Sequence, residues 1–203
     1  MKNIILPIFY VPPVSWFVEF LREDQAVILE QYENFPKQTY RNRANIYGAN
    51  GKLSLIIPVQ HKKGRGMNEI QVSDKENWRS IHWKSIQSAY QGSPYFEFYE
   101  DQFKKIFNSE ETSLLKLNLS VIEIIQKILK TNVEFALSEE YKHDFEGADF
   151  RNQFSAKNSE VLGYDDYYQT FTEKHGFLEN LSIIDLLCNK GPESLMYIKK
   201  LQK

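Results

Sequence analysis

Two arginines stand two residues apart in the run Tyr40-Arg41-Asn42-Arg43, with Lys37 just upstream. Guanidinium forks bind phosphate or carboxylate through paired donors, and their charge does not vary over the working pH range. The grouping therefore reads as an anion cradle. Its surroundings agree: from Asn34 to Asn68 the chain carries seven Lys/Arg residues and no Asp or Glu, in a protein whose net charge is −2. The remainder is strongly acidic, and charge sorted in this way points to something anionic held against one surface. The plainer alternative is an exposed strand whose arginines pair with acids elsewhere in the chain.

A second group lies between Glu76 and Tyr90. At helical spacing, Ile81, Ser85, Trp78, Ala89, His82 and Ile86 follow one another around one face. A histidine there could act as general acid or base, because its reference pKa lies near neutrality. It could equally be a core histidine satisfied by one hydrogen bond. Arg79, Trp83 and Tyr90 flank the same face and could place a cation and a stacking ring beside a ligand, or simply pack at the edge of the core. Metal binding has little support: His61, His82, His143 and His175 are scattered without ligand spacing, and Cys188 is the single cysteine. Adjacent carboxylates such as Asp165-Asp166 read as a solvated turn. Phosphate-loop, dinucleotide-fingerprint and nucleophile-elbow patterns are absent.

The elements that must position these groups read as α/β. Residues 3–11 form a buried strand that Pro12-Pro13 stops. A helix then carries Trp16, Phe17, Phe20 and Leu21, and Ala26–Leu29 forms a second strand, together a βαβ unit. Residues 41–47 and 53–59 read as a hairpin about Asn50-Gly51, a pair that accepts positive φ. Alternation places Arg41, Arg43 and Asn45 on one face. Residues 61–67 form a basic loop, and 70–72 a short strand. Helices follow over 76–90, with Asp74 as its cap, over 94–107 and over 113–130. A late strand covers 133–137, and closing helices on either side of Gly191 cover 181–188 and 192–200. The expected fold is one α/β domain over 1–203, a mixed sheet with the N-terminal βαβ unit, the hairpin and several packed helices. The irregular, acid-rich segment 138–180 would be a lid or a partner-binding region.

With 42% apolar and 14% aromatic residues the chain can bury a core. One cysteine suits a reducing compartment. No apolar run approaches the roughly 20 residues needed to span a bilayer, so a cytoplasmic protein is expected.

Taken in order, several blocks resemble the WbqC-like protein family. They are Lys37 with Tyr40-Arg41-Asn42-Arg43, the hairpin Gly51–Val59, Asn77-Trp78-Arg79 with His82, and Ala89-Tyr90 with Ser93-Pro94-Tyr95-Phe96. Leu117-Asn118 and the closing Ser182–Leu187 with Asn189 and Gly191 complete the set. The sequence departs from the family where Glu30-Gln31-Tyr32-Glu33 replaces paired aspartates. In the central segment it resembles a shorter branch marked by Asp149-Phe150-Arg151-Asn152. The resemblance implies bacterial surface-polysaccharide synthesis, with a suggested transfer of glycine to an amino sugar.

Within that context the leading expectation is a transferase of polysaccharide or aminosugar synthesis, moving an amino acid or acyl group to an amino sugar. Its substrate would be an anionic small molecule such as a nucleotide-sugar, with tRNA or an acyl carrier as further polyanionic partners. Lys37, Tyr40, Arg41, Asn42, Arg43 and Arg79 would hold it, and Trp78, Tyr90 and Tyr95 would line the pocket. His82 would take the proton, with Glu33 as reserve base, and no metal or cofactor is assigned. The alternatives are a nucleotide- or RNA-binding module built on the basic hairpin with Tyr40 and Tyr47, and a scaffold docked through Tyr164–Phe171.

Overall fold

The computed structural model describes residues 2–60, 66–156 and 162–202. The basic residues Lys62, Lys63 and Arg65, and most of the expected loop 61–67, lie outside this set. The N-terminal βαβ unit forms, with its first strand ending at Pro7 rather than running on to residue 11 and Pro12-Pro13. Strand β1 (Lys2–Pro7) leads through helix α1 (Val14–Phe20) to strand β2 (Gln25–Glu30), and the two strands pair in parallel from Lys2↔Gln25 to Pro7↔Glu30. Ile4, Leu6, Val27 and Leu29 share one buried face. Trp16, Phe17 and Phe20 of α1 are wholly buried, each such side chain contributing roughly 1.5–3 kcal/mol. Proline at the α1 cap ends the preceding segment and costs no helical bond.

Two further strands complete this sheet. Strand β5 (Phe135–Leu137) adds to β2, and β6 (Ala148–Asp149) adds to the far side of β1, giving the all-parallel order β5-β2-β1-β6. The chain moves outward from β1 to β2 and β5, then returns to the other side of β1. In open parallel sheets the crevice at the carboxyl ends of the strands, near such a reversal, is the usual ligand position. The sequence reading missed β6, because two residues carry no periodicity.

A separate two-stranded sheet holds the basic segment. Strands β3 (Arg43–Gly48) and β4 (Gly51–Ile56) pair antiparallel, from Arg43↔Ile56 to Gly48↔Gly51. The turn is Ala49-Asn50, and Gly51 alone takes the positive φ, at 95°. β3 begins at Arg43, so Arg41 lies before the strand and the alternation expected to align the two arginines does not apply. The outer edge of β3 is closed: Ser182 N–H donates to the Asn45 carbonyl at 2.8 Å, and the Tyr90 hydroxyl accepts from Tyr47 N–H at 3.0 Å.

Helices α2 (Trp78–Tyr90), α3 (Phe96–Phe107) and α4 (Leu114–Leu129) follow. Asn77, rather than Asp74, occupies the α2 cap position, while Ser113 caps α4 through Lys116 N–H. The expected strand at 70–72 is reduced to isolated bridges, Val59↔Val72 and Gln71↔Ser113. Among its described residues, segment 138–180 is mostly irregular, apart from β6 and the single turn α5 (Thr172–His175). Helices α6 (Ile183–Lys190) and α7 (Ser194–Leu201) close the fold. Gly191 separates them with φ of 54°. A Cβ there would run into the Tyr95 ring. Among the described residues no helix is long and apolar enough to cross a membrane.

Candidate functional site

The carboxyl ends of the parallel strands converge on a cluster of buried charges. Glu30 ends β2 and is fully buried. Its carboxylate accepts from the Ser138 hydroxyl, just past β5, at 2.8 Å, and from Tyr32 N–H at 2.7 Å. Arg151, two residues beyond β6, reaches Glu30 at 3.4 Å and Asp149 at 2.6 Å, and donates to the Lys142 carbonyl at 2.7 Å. The Arg151 guanidinium beside Asp149 holds that carboxyl below the usual carboxylate range. Arg151 thus ties β2, β6 and the incoming segment together.

Arg41 belongs to the same cluster. Its guanidinium grips Glu33 through two bonds, of 2.7 and 2.5 Å, and donates to the Arg151 carbonyl at 3.0 Å. It lies over the Phe9 ring at 5.4 Å, and the Asn118 amide donates to its backbone carbonyl at 2.8 Å. Burial pushes the Glu33 carboxyl up, with Arg41 pulling it down. Arg41 and Glu33 are both buried, so this guanidinium is an internal keystone in the present geometry. An uncompensated charge at that depth would be costly, and two directed bonds offset the desolvation.

The other sequence-predicted residues separate. Asn42 ties its amide to the Ile57 carbonyl at 2.8 Å, and Lys37 is exposed. His82 is buried among Trp78 and Tyr10, with its Nδ1 3.0 Å from the Tyr10 hydroxyl. Burial pushes its pKa down to about 4, against a raising contact with the Ile56 backbone. It is therefore neutral near pH 7, with both sides of the ring engaged. Arg79 pairs with Asp74, donates to the Glu111 carbonyl at 2.8 Å and lies over Trp78. Tyr90 faces β3 and Tyr95 lines a different, apolar groove with Phe98, Tyr99 and Leu195. Arg41 and Arg79 do not meet: they sit in separate ion pairs.

Arg43 differs from both. Its Nε is buried without a hydrogen-bond partner, and no ion pair is formed by its guanidinium among the described residues. It shares the β3–β4 face with Asn45, Tyr47, Lys52 and Ser54 by strand alternation and register. That face looks onto a cavity of about 240 Å³. Tyr40, Asn45 and Lys52 line one side of it, α1 contributes Ser15 and Glu19, Phe150 and Phe154 follow β6, and Tyr164 and Glu179 form the far wall. Phe9 joins cavity to charge cluster: its ring packs on Tyr40 at 5.5 Å and Phe154 at 5.6 Å, while Arg41 covers it. The charge cluster therefore braces the near wall of the cavity.

A family model, that of the WbqC-like protein family, matches residues 9–152. The chain belongs to that family. A relative, "Uncharacterized protein Rv1507c" of Mycobacterium tuberculosis (strain ATCC 25618 / H37Rv), is 25% identical over 94% of this chain and 94% of its own length. No solved structure matches. The family match contains every member of the ion cluster and, of the cavity lining, Ser15, Glu19, Tyr40, Asn45, Lys52 and Phe150, but not Phe154. The far wall, 162–181, lies beyond it.

The sequence reading named Tyr40 and Arg43 and set Asn45 on the face of Arg43, but missed Glu30, Asp149, Arg151 and Lys52 as neighbours of one place. A signal was available for Glu30: an acid that closes an apolar strand lies at a strand carboxyl end. Arg151 and Asp149 gave none, because their strand is too short to read.

Proposed function

We propose that this WbqC-like protein is a cytoplasmic transferase of bacterial surface-polysaccharide or aminosugar synthesis, and that it holds a phosphate-bearing sugar substrate against the β3–β4 face. The observation that carries the reading is the half-buried Arg43, whose Nε has no partner among the described residues and which stands two residues from Asn45 of the cavity lining on one strand face. A buried Nε–H left without an acceptor forgoes about 1–3 kcal/mol until one is supplied. Lys37 adds a second, exposed charge upstream. In this reading Arg41, Glu33 and His82 act as positioning groups: they fix the segment that carries Tyr40 and Arg43. The RNA-binding alternative is weaker, because Arg41, Arg79 and Arg151 all spend their charge internally. Family membership supports the biosynthetic context.

The test is calorimetric titration of the full chain with UDP- and dTDP-linked hexoses and amino hexoses. At least one should bind, and Arg43→Ala should weaken it about 10- to 100-fold, the loss of one charge-assisted contact. Failure of every phosphate-bearing sugar to bind, or equal binding by Arg43→Ala, would end the proposal.

A further inference from the structure

We infer that the cavity beside Arg43 is a subsite for one uncharged, hydroxyl-rich pyranose ring, and that the phosphates of the same ligand stay outside it. The inference rests on the phosphate-sugar reading above and adds which part of the ligand lies where.

Size is the first argument. About 240 Å³ equals roughly eight water volumes, room for a single six-membered ring with its hydroxyls. Lining chemistry is the second. Phe150 and Phe154 stack with centroids 6.3 Å apart and 26° between planes, and they offer apolar surface to ring C–H groups. Around them stand groups suited to hydroxyls. The Ser15 Oγ is buried without a hydrogen-bond partner. Asn45 presents an amide held by the Ala156 carbonyl and the Ser54 hydroxyl, at 3.3 and 2.7 Å.

Charge points the same way. Two carboxylates, Glu19 and Glu179, and one ammonium, Lys52, line the space. Arg22 clamps Glu19 through bonds of 2.8 and 3.3 Å. Glu179 accepts the N–H groups of Leu162 and Tyr164 at 2.7 and 2.8 Å. The Tyr164 hydroxyl feels both: burial first, then Glu19 and Glu179, push it up to about 12, so it stays a donor and acceptor at neutral pH. With Arg22 paired to Glu19, and Glu179 set against Lys52 in the same lining, the space carries no surplus positive charge to hold a phosphate or an amino-acid carboxylate. A sugar hydroxyl can donate to the lone pairs the two carboxylates have left. Arg43, two residues before Asn45 on the same strand face and outside the lining, is left to take the phosphate charge.

The experiment is saturation-transfer NMR on the full chain with UDP-N-acetylglucosamine, UDP-glucosamine, UDP alone and the two free sugars. It is repeated with Ser15→Leu, which fills the cavity from a helix position, and Tyr164→Phe, which removes one oxygen only. The expected result is stronger saturation of sugar-ring protons than of uridine protons. Ser15→Leu should reduce a UDP-sugar to the affinity of UDP, and Tyr164→Phe should weaken it 3- to 10-fold. If UDP-sugars bind equally to wild type and both variants, the subsite is wrong and the phosphate reading stands. If a free sugar binds, Ser15→Leu abolishes it and UDP does not bind, the subsite stands and the phosphate reading falls. Binding of none of the five probes overturns the subsite. Should Ser15→Leu fail to fold, Tyr164→Phe decides alone.

Discussion

Arg41 and Arg43 have the same chemistry and nearly the same address, yet opposite circumstances. Arg41 is enclosed by Glu33, the Arg151 carbonyl and Phe9. Among the described residues Arg43 has no such partner, and its Nε is an orphan. Residue type made anion binding legible in the sequence. It could not say which guanidinium was committed, because the commitment depends on where β3 begins and on Glu33, eight residues upstream. For the keystone pair the expected cost is large. Arg41→Ala or Glu33→Ala should each remove about 3–5 kcal/mol of stability, since each leaves a buried charge unpaired. The double variant should lose much less than the sum, because neither charge then remains unpaired. Urea unfolding of the four proteins measures this, and additive losses would show that the pair is not coupled.

At the scale of elements, βαβ, hairpin and long helices were legible because each has a strong period or turn signal. Segment 138–180 was not, and its order comes from side chains. Asp185 in the first turn of α6 is fully buried and, among the described residues, has no cation beside it. It accepts from the Tyr167 hydroxyl at 2.6 Å and the Gln169 amide at 2.8 Å, with Asn189 at 3.4 Å and the Tyr90 hydroxyl facing it. Gln169 brackets Leu178 in turn, accepting its N–H and donating to its carbonyl, both at 2.9 Å. Tyr47 adds a tie to the Gly176 carbonyl at 2.7 Å. The far wall of the cavity is thus pinned by one carboxylate and two tyrosines. Asp185→Asn leaves one acceptor oxygen where two served. Amide exchange over 164–178 should then rise at least about 10-fold while that of α4 stays unchanged, as local opening precedes global unfolding. Unchanged exchange over 164–178 would remove Asp185 as the pin.

For the whole molecule, two buried groups give stability opposing pH slopes. Burial lowers His82 to about 4 from 6.5. Below pH 6.5 the unfolded chain takes up a proton that the folded one refuses, so stability falls with pH between 6.5 and 4, by about 3 kcal/mol. Burial raises Asp185 to about 6 from 3.8. Between pH 6 and 4 the folded chain holds the extra proton, so this contribution grows as pH falls, also by about 3 kcal/mol. The two nearly cancel. A His82→Gln variant should therefore close its stability gap to wild type as pH drops from 7 to 4. A gap of constant size across a urea series at several pH values would contradict the burial of a neutral ring. The overall class, α/β with a hairpin, was readable from pattern alone. The sheet order was not, since β6 pairs with β1 across most of the chain and nothing local encodes a partner so distant.

That distant pairing has a consequence during synthesis. Ile5 meets Asp149 in register, so one flank of β1 waits for its neighbour until almost three quarters of the polypeptide has emerged. Until then an apolar strand presents bare backbone donors and acceptors, a template for intermolecular sheet growth. A nascent chain truncated before Ala148 would accordingly lean on chaperones in a way that the finished one does not.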